Sequence, residues 1–149
     1  MRKAYLSLIL FTIVFTSCAT VPFAGRERNI LKVVDLINRG NTNQLISLSQ
    51  IPFLLDGEII MLEKDLEFLW ENFASARLAI PDPRVAETRP ASESSHEIFA
   101  SSMEVEVFWK KYLPEASFIA RIVSDNGEFL LILGGRQRGF PLIYGFKAL

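Results

Sequence analysis

One cysteine and one histidine, Cys18 and His96, are the only thiol and imidazole in this chain. A lone thiol excludes an intrachain disulfide, and one thiol with one imidazole cannot assemble a four-ligand zinc site. The carboxylates Asp56 and Glu58 do not open a calcium loop of alternating oxygen ligands. Neither a metal nor a cofactor is expected. A dominant charge is also missing: 16 Lys and Arg face 17 Asp and Glu, for a formal net charge of −1. Without a basic stripe, nucleic acid is not an expected partner. Internal repeats are absent. The one long apolar run, Ala4 to Phe15, covers about a dozen residues, short of the ~20 that cross a bilayer.

That run is nevertheless informative. Arg2 and Lys3 precede it, and Phe15-Thr16-Ser17-Cys18 ends it on small residues. A basic start, a short apolar core and a small-residue exit describe a cleaved export signal. The stretch resembles a bacterial lipoprotein signal, in which the cysteine is acylated and becomes the mature N-terminus. Thr16 and Ser17 fit the small positions, whereas Phe15 stands where such signals carry Leu or another aliphatic residue. The resemblance implies lipidation of Cys18 and a membrane partner through that anchor. The rival readings are a plain secretory signal, cut near Ser17 or Ala19, and an uncleaved membrane helix, for which the apolar run is short. Ala19 and Thr20 bring no acidic residue after the cysteine. The inner-membrane retention pattern of enterobacterial lipoproteins is thus absent, and the outer membrane of the cell envelope is the expected address. The expected organisation is a signal peptide at 1–17, a lipidated tether at 18–26 and one domain at 27–149.

Removing Arg2 and Lys3 with the signal takes the charge from −1 to −3, too mild to specify a partner. Half of the residues are hydrophobic and twelve are phenylalanine, enough for a single core. From Arg26 to Asn38, Ile30, Val33, Val34 and Ile37 recur at helical spacing, with Gly40 as a left-handed stop. Asn41, Thr42 and Asn43 offer caps for a second, shorter helix. Ile51 to Met61 predicts a hairpin around Asp56-Gly57. Leu62, Leu66, Leu69, Trp70 and Phe73 mark the clearest helix, ended before Pro81.

Pro81 to Glu97 is rich in proline, serine and charge and is expected to be a polar loop. Ser101 and Glu104 match a capping box for a helix carrying Val105, Phe108, Trp109 and Tyr112. The tail predicts three antiparallel strands: Ala116–Ser124, Glu128–Leu133 and Phe140–Lys147. The last should show Phe140, Leu142, Tyr144 and Phe146 on one face, with Pro141 tolerated at an edge.

Helix pair, small hairpin, long helix and terminal meander form the order seen in the nuclear transport factor 2-like superfamily. The phrase Leu48-Ser49-Gln50-Ile51-Pro52-Phe53-Leu54-Leu55-Asp56-Gly57-Glu58, followed by Leu66, Leu69 and Trp70, is similar to one many bacterial members carry. The closing Tyr144-Gly145-Phe146 is similar to their last strand. The resemblance spans about Arg26 to Leu149 and implies an α+β cone: helices packed on a curved antiparallel sheet, with a cavity at its mouth. The helix over 99–113 departs from that pattern, since many members run strands there.

Enzymatic members of that superfamily pair a base with an oxyanion donor inside the cavity, as deprotonation beside a carbonyl requires. No residue here matches such a motif. His96 reads as a solvated loop residue, Asp35 as a helix-surface charge and Asp56 as a turn residue. Gly134-Gly135-Arg136-Gln137-Arg138-Gly139 reads as a hairpin connection with solvated arginines, because no helix follows it to build an anion nest. The expected cavity lies between the long helix around Trp70 and the terminal sheet around Tyr144. Its lining would be Trp70, Phe73, Trp109, Tyr112 and Tyr144. The expected function is a non-catalytic binding or accessory role, with a hydrophobic small molecule or peptide as ligand. The alternatives are a small cofactor-free isomerase or dehydratase and a structural envelope protein that forms homodimers.

Overall fold

Residues 21–149 are described by a computed structural model; the signal segment and Cys18 lie outside these residues. Helix α1 (Val21–Asn38) starts earlier than the expected Arg26, with Pro22 inside its first turn, where the backbone donors have no helical acceptor. It buries Ile30, Val33, Val34 and Ile37, the expected stripe, and Leu36 beside them. Gly40, at φ 61°, ends it. The Asn41 amide bonds the Leu36 carbonyl and the Gly40 amide bonds that of Ile37, the paired bonds of a Schellman stop. Asn41 then caps α2 (Thr42–Leu48), its side chain accepting from the Gln44 amide.

Strands β1 (Ser49–Leu55) and β2 (Glu58–Ile60) form the expected antiparallel hairpin around Asp56-Gly57. Helix α3 (Glu63–Ser75) buries Leu66, Leu69 and Trp70. Asn38 fastens the chain beyond it. Its Nδ2 donates to the Ile80 carbonyl at 3.0 Å and its Oδ1 accepts from the Ile80 amide at 2.7 Å.

The segment expected as a loop at 81–97 contains strand β3 (Arg84–Pro90) and a 3-10 turn, Glu93–Ile98. Its polar composition hid it because β3 is a sheet edge, bonded on one side only and largely open to water. Helix α4 (Met103–Tyr112) is capped by Ser102, not Ser101; the Ser102 Oγ accepts from the Val105 amide at 3.3 Å. That one-residue shift puts Val105 at the third helical position, where a capping box needs Glu or Gln, so Glu104 has no reciprocal role.

Strands β4 (Phe118–Ser124), β5 (Gly127–Gln137) and β6 (Phe140–Ala148) complete a six-stranded sheet ordered β2-β1-β6-β5-β4-β3. The fold is α+β with an open, mixed sheet. An all-antiparallel sheet was expected, but β1 runs parallel to β6. That pairing follows from β1 being apolar on both sides: Phe53 and Leu54, each fully buried, join opposite cores, which an exposed edge strand would not allow. Pro141 thus sits on a central strand. It precedes the Ser49–Ile143 pair at which β1 begins to pair, so its missing donor breaks no ladder bond to β1.

Both faces of the sheet are covered. On one, α1, α2 and α3 pack Ile30, Val33 and Trp70 against Ala120, Ile122, Leu131 and Phe146. On the other, α4 and the 3-10 turn pack Phe99, Val105, Phe108 and Trp109 against Ile119, Leu130, Ile132 and Tyr144. The register of β6 against β5 slips twice, between Ile132 and Leu133 and again between Gly134 and Gln137. At the first slip, Ile132 faces Gly145 but Leu133 faces Ile143, leaving Tyr144 as an extra residue in a bulge. The expected single face of Phe140, Leu142, Tyr144 and Phe146 is therefore split. Phe140 and Phe146 join the α1–α3 core, while Leu142 and Tyr144 turn to α4.

Candidate functional site

Strand β2 ends the sheet beside α4, and the two elements leave an apolar groove between them. The groove is open to solvent, holds about 310 Å³ and is lined by Ile59, Met61, Met103, Glu104, Val107, Phe108 and Tyr112. Helical spacing makes its wall: Met103 and Val107 stand one turn apart, as do Glu104, Phe108 and Tyr112. Phe108 is fully buried and forms the floor; Met103 is 78% exposed, Met61 56% and Val107 47%. Large apolar side chains left this open, side by side, mark a surface suited to apolar contact, and methionine adapts its shape to varied partners. Beside the groove on α4, Lys110 donates to Glu106 at 2.7 Å. That bond holds the Glu106 carboxyl below its ordinary value and raises Lys110 above its own.

A larger hollow of about 440 Å³ lies between α2 and the β5–β6 turn, lined by Asn41, Asn43, Gln44, Ser47, Gln137 and Arg138 among others. Its amides are partly engaged already, since Asn41 bonds both the Gln44 side chain and its backbone. Water satisfies such a surface, and size alone does not single it out.

The structure does not gather the expected cavity residues. Cys18 lies outside the described residues. Trp70 is fully buried on the α1–α3 face, edge-on to Phe53 at 6.0 Å and to Phe73 at 5.6 Å, with its indole donating to the Ser49 Oγ at 3.0 Å. Phe73 stacks edge-on to Phe146 in the same core. Trp109 and Tyr144 belong to the opposite core. The sheet thus stands between Trp70 and Tyr144, because the β6 bulge turns Tyr144 away, and no shared cavity forms between them. The Trp109 indole donates to the Ser92 carbonyl at 2.8 Å, a structural bond. Burial pushes the Tyr144 phenol above its ordinary value. Only Tyr112 reaches the groove.

The remaining candidates, His96 apart, fall where their sequence context suggested. Asp35 pairs with Arg39 on the helix surface at 3.0 Å, and Asp56 sits in its turn, accepting from the Ala148 amide. His96 uses its Nδ1 to bond the Glu93 carbonyl within the 3-10 turn rather than within a loop. Gly134 to Gly139 carries β5 into β6 as a hairpin.

Sequence reasoning missed Ile59, Met61, Met103 and Val107. A signal existed for two of them, since Met103 and Val107 lie off the buried stripe of α4 yet are apolar. Ile59 and Met61 carried none, as edge-strand exposure is not written in a short apolar run. Comparison of the chain with protein-family models, curated proteins and solved structures finds no match in any of the three.

Proposed function

We propose that this chain is a lipid-anchored protein of the cell envelope, on the outer membrane, whose domain is a non-catalytic binding module. Acylation of Cys18 supplies the anchor, as the sequence from Arg2 to Cys18 implies. Several acyl chains on one residue hold a domain at a membrane far more firmly than one. The kinship with the nuclear transport factor 2-like superfamily, read from the order of elements, belongs to the same proposal.

The groove between β2 and α4 carries the binding reading. Its volume falls at the small end of the range for ligand pockets, so its occupant is a small hydrophobic molecule. An isomerase or dehydratase would need a base and an oxyanion donor facing one reacting carbon. The groove's Glu104 and Tyr112 are eight residues apart on one helix, roughly 12 Å along its axis. That separation favours binding over proton transfer.

Two measurements test the two halves. Metabolic labelling with a fatty-acid analogue marks the wild-type chain and spares Cys18→Ala; label on both, or on neither, rejects the anchor. For the groove, an environment-sensitive apolar dye gains fluorescence on the wild-type protein. Val107→Asp weakens dye binding at least about tenfold, one lost apolar contact with a charge in its place, without altering the unfolding temperature. Equal binding by both proteins rejects the groove.

A further inference from the structure

We propose that the end of the domain carrying the β5–β6 turn is a membrane-facing surface that pairs with anionic phospholipid headgroups. The proposal rests on the anchored reading of Cys18, which sets which end of the domain meets the bilayer.

The direction of α1 makes the first argument. Near its start, Arg26 and Asn29 line a shallow hollow with Ala116, Phe118, Arg136 and Pro141, beside the β5–β6 turn. At its far end, Asn38 bonds Ile80, and the neighbouring Ala79 carbonyl accepts from Asn126 in the β4–β5 turn. From Arg26 to Asn38 the helix advances roughly 18 Å. The chain therefore enters the domain at the β5–β6 end, and Cys18 precedes α1 by only three positions. So short a link keeps this end near any bilayer that holds the cysteine.

Charge makes the second argument. Arg26, Lys32, Arg136 and Arg138 gather around this turn, although the whole chain carries no net positive charge. The Arg26 guanidinium lies 4.9 Å from the Phe118 ring centre, and the Lys32 ammonium 5.7 Å from that of Phe140. Both rings belong to the strands at this end and hold the two cations in place. Arg136 stands near the end of β5 and Arg138 in the turn itself at φ 52°, both exposed. Among the described residues, the ion pairs involve Arg39, Lys110 and Arg121 and none of these four. In the chain, Glu27 follows Arg26 and Glu115 precedes Ala116, two carboxylates against these four cations. Unpaired cations within a Debye length of an anionic leaflet each favour the bound state by about fivefold.

The test uses the mature chain on two kinds of vesicle, neutral phosphatidylcholine and a mixture containing phosphatidylglycerol. Flotation with neutral vesicles reads the anchor alone. Amide hydrogen exchange over 135–139 reads the face. Exchange should slow on the anionic vesicles only, and the slowing should vanish in R136Q/R138Q and at high salt, with neutral flotation unchanged. Equal exchange on both vesicles, or slowing that survives in R136Q/R138Q, overturns the proposal. So does the same slowing by inorganic phosphate without vesicles, which would mark a soluble-anion site. If neutral flotation fails, the anchor reading falls separately. Partition of that unacylated chain onto phosphatidylglycerol vesicles then decides the face: about thirtyfold weaker for R136Q/R138Q supports it, and no difference overturns it.

Discussion

Gly145 illustrates what a single position demands. A Cβ added there would sit 2.7 Å from the Leu54 carbonyl oxygen and 2.9 Å from the Ile132 side chain. The backbone of β1 is fixed by its ladder, so the clash cannot be relieved by a rotamer change. Gly145→Ala should cost about 1–3 kcal/mol of stability, read as a lower denaturation midpoint; an unchanged midpoint would mean β1 and β6 are not this close. Tyr144, its neighbour, makes a pH prediction. Its phenol is raised from the ordinary 10.0 by burial, so the folded state resists its ionisation. Stability is insensitive to this group below pH 10 and falls as pH rises from there through the higher folded value. Unfolding followed from pH 9 to 12 should show a steeper alkaline decline for wild type than for Tyr144→Phe. Equal slopes would remove burial of the phenol as the cause.

Helix α4 gives the clearest contrast at the level of elements. Its apolar stripe of Val105, Phe108 and Trp109 was legible from spacing, since a 3.6-residue period needs no tertiary information. Its cap was not, because Ser101 and Ser102 are both good capping residues and only the entering chain direction chooses between them. Ser102→Ala should destabilise by about 1 kcal/mol, whereas Ser101→Ala should leave thermal unfolding unchanged; the reverse ranking would restore the capping box. Strand β3 was illegible for a different reason. An edge strand bonded on one side needs little apolar content, and its order comes from β4: Glu87 pairs with Arg121 at 3.7 Å, and Arg121 with Glu128 at 2.9 Å. In an isolated chain nothing distinguishes that segment from a loop.

For the molecule as a whole, one sheet serves two cores. Successive residues divide between them, Ile119 from Ala120 and Leu130 from Leu131, so neither helical layer can detach without disturbing strands that the other needs. Trp70 reports on one layer and Trp109 on the other. Fluorescence-detected unfolding of Trp70→Phe and Trp109→Phe should each coincide with that variant's loss of circular dichroism, as a single cooperative transition requires. Separated curves would show that one layer melts first.

Local patterns settled the helices over 26–38 and 62–73, the Gly40 stop, the Asp56-Gly57 turn and the terminal meander, each written within a few residues as periodicity or turn chemistry. The α+β class followed from their order. Sheet partnership and facing did not, because the parallel contact of β1 with β6 joins residues far apart in the chain. The bulge at Tyr144 reverses a side chain by one unpaired residue. That reversal replaced the expected cavity beneath Trp70 with solid cores on both faces. The open apolar surface stands instead at the sheet's β2 edge, where no further strand covers it.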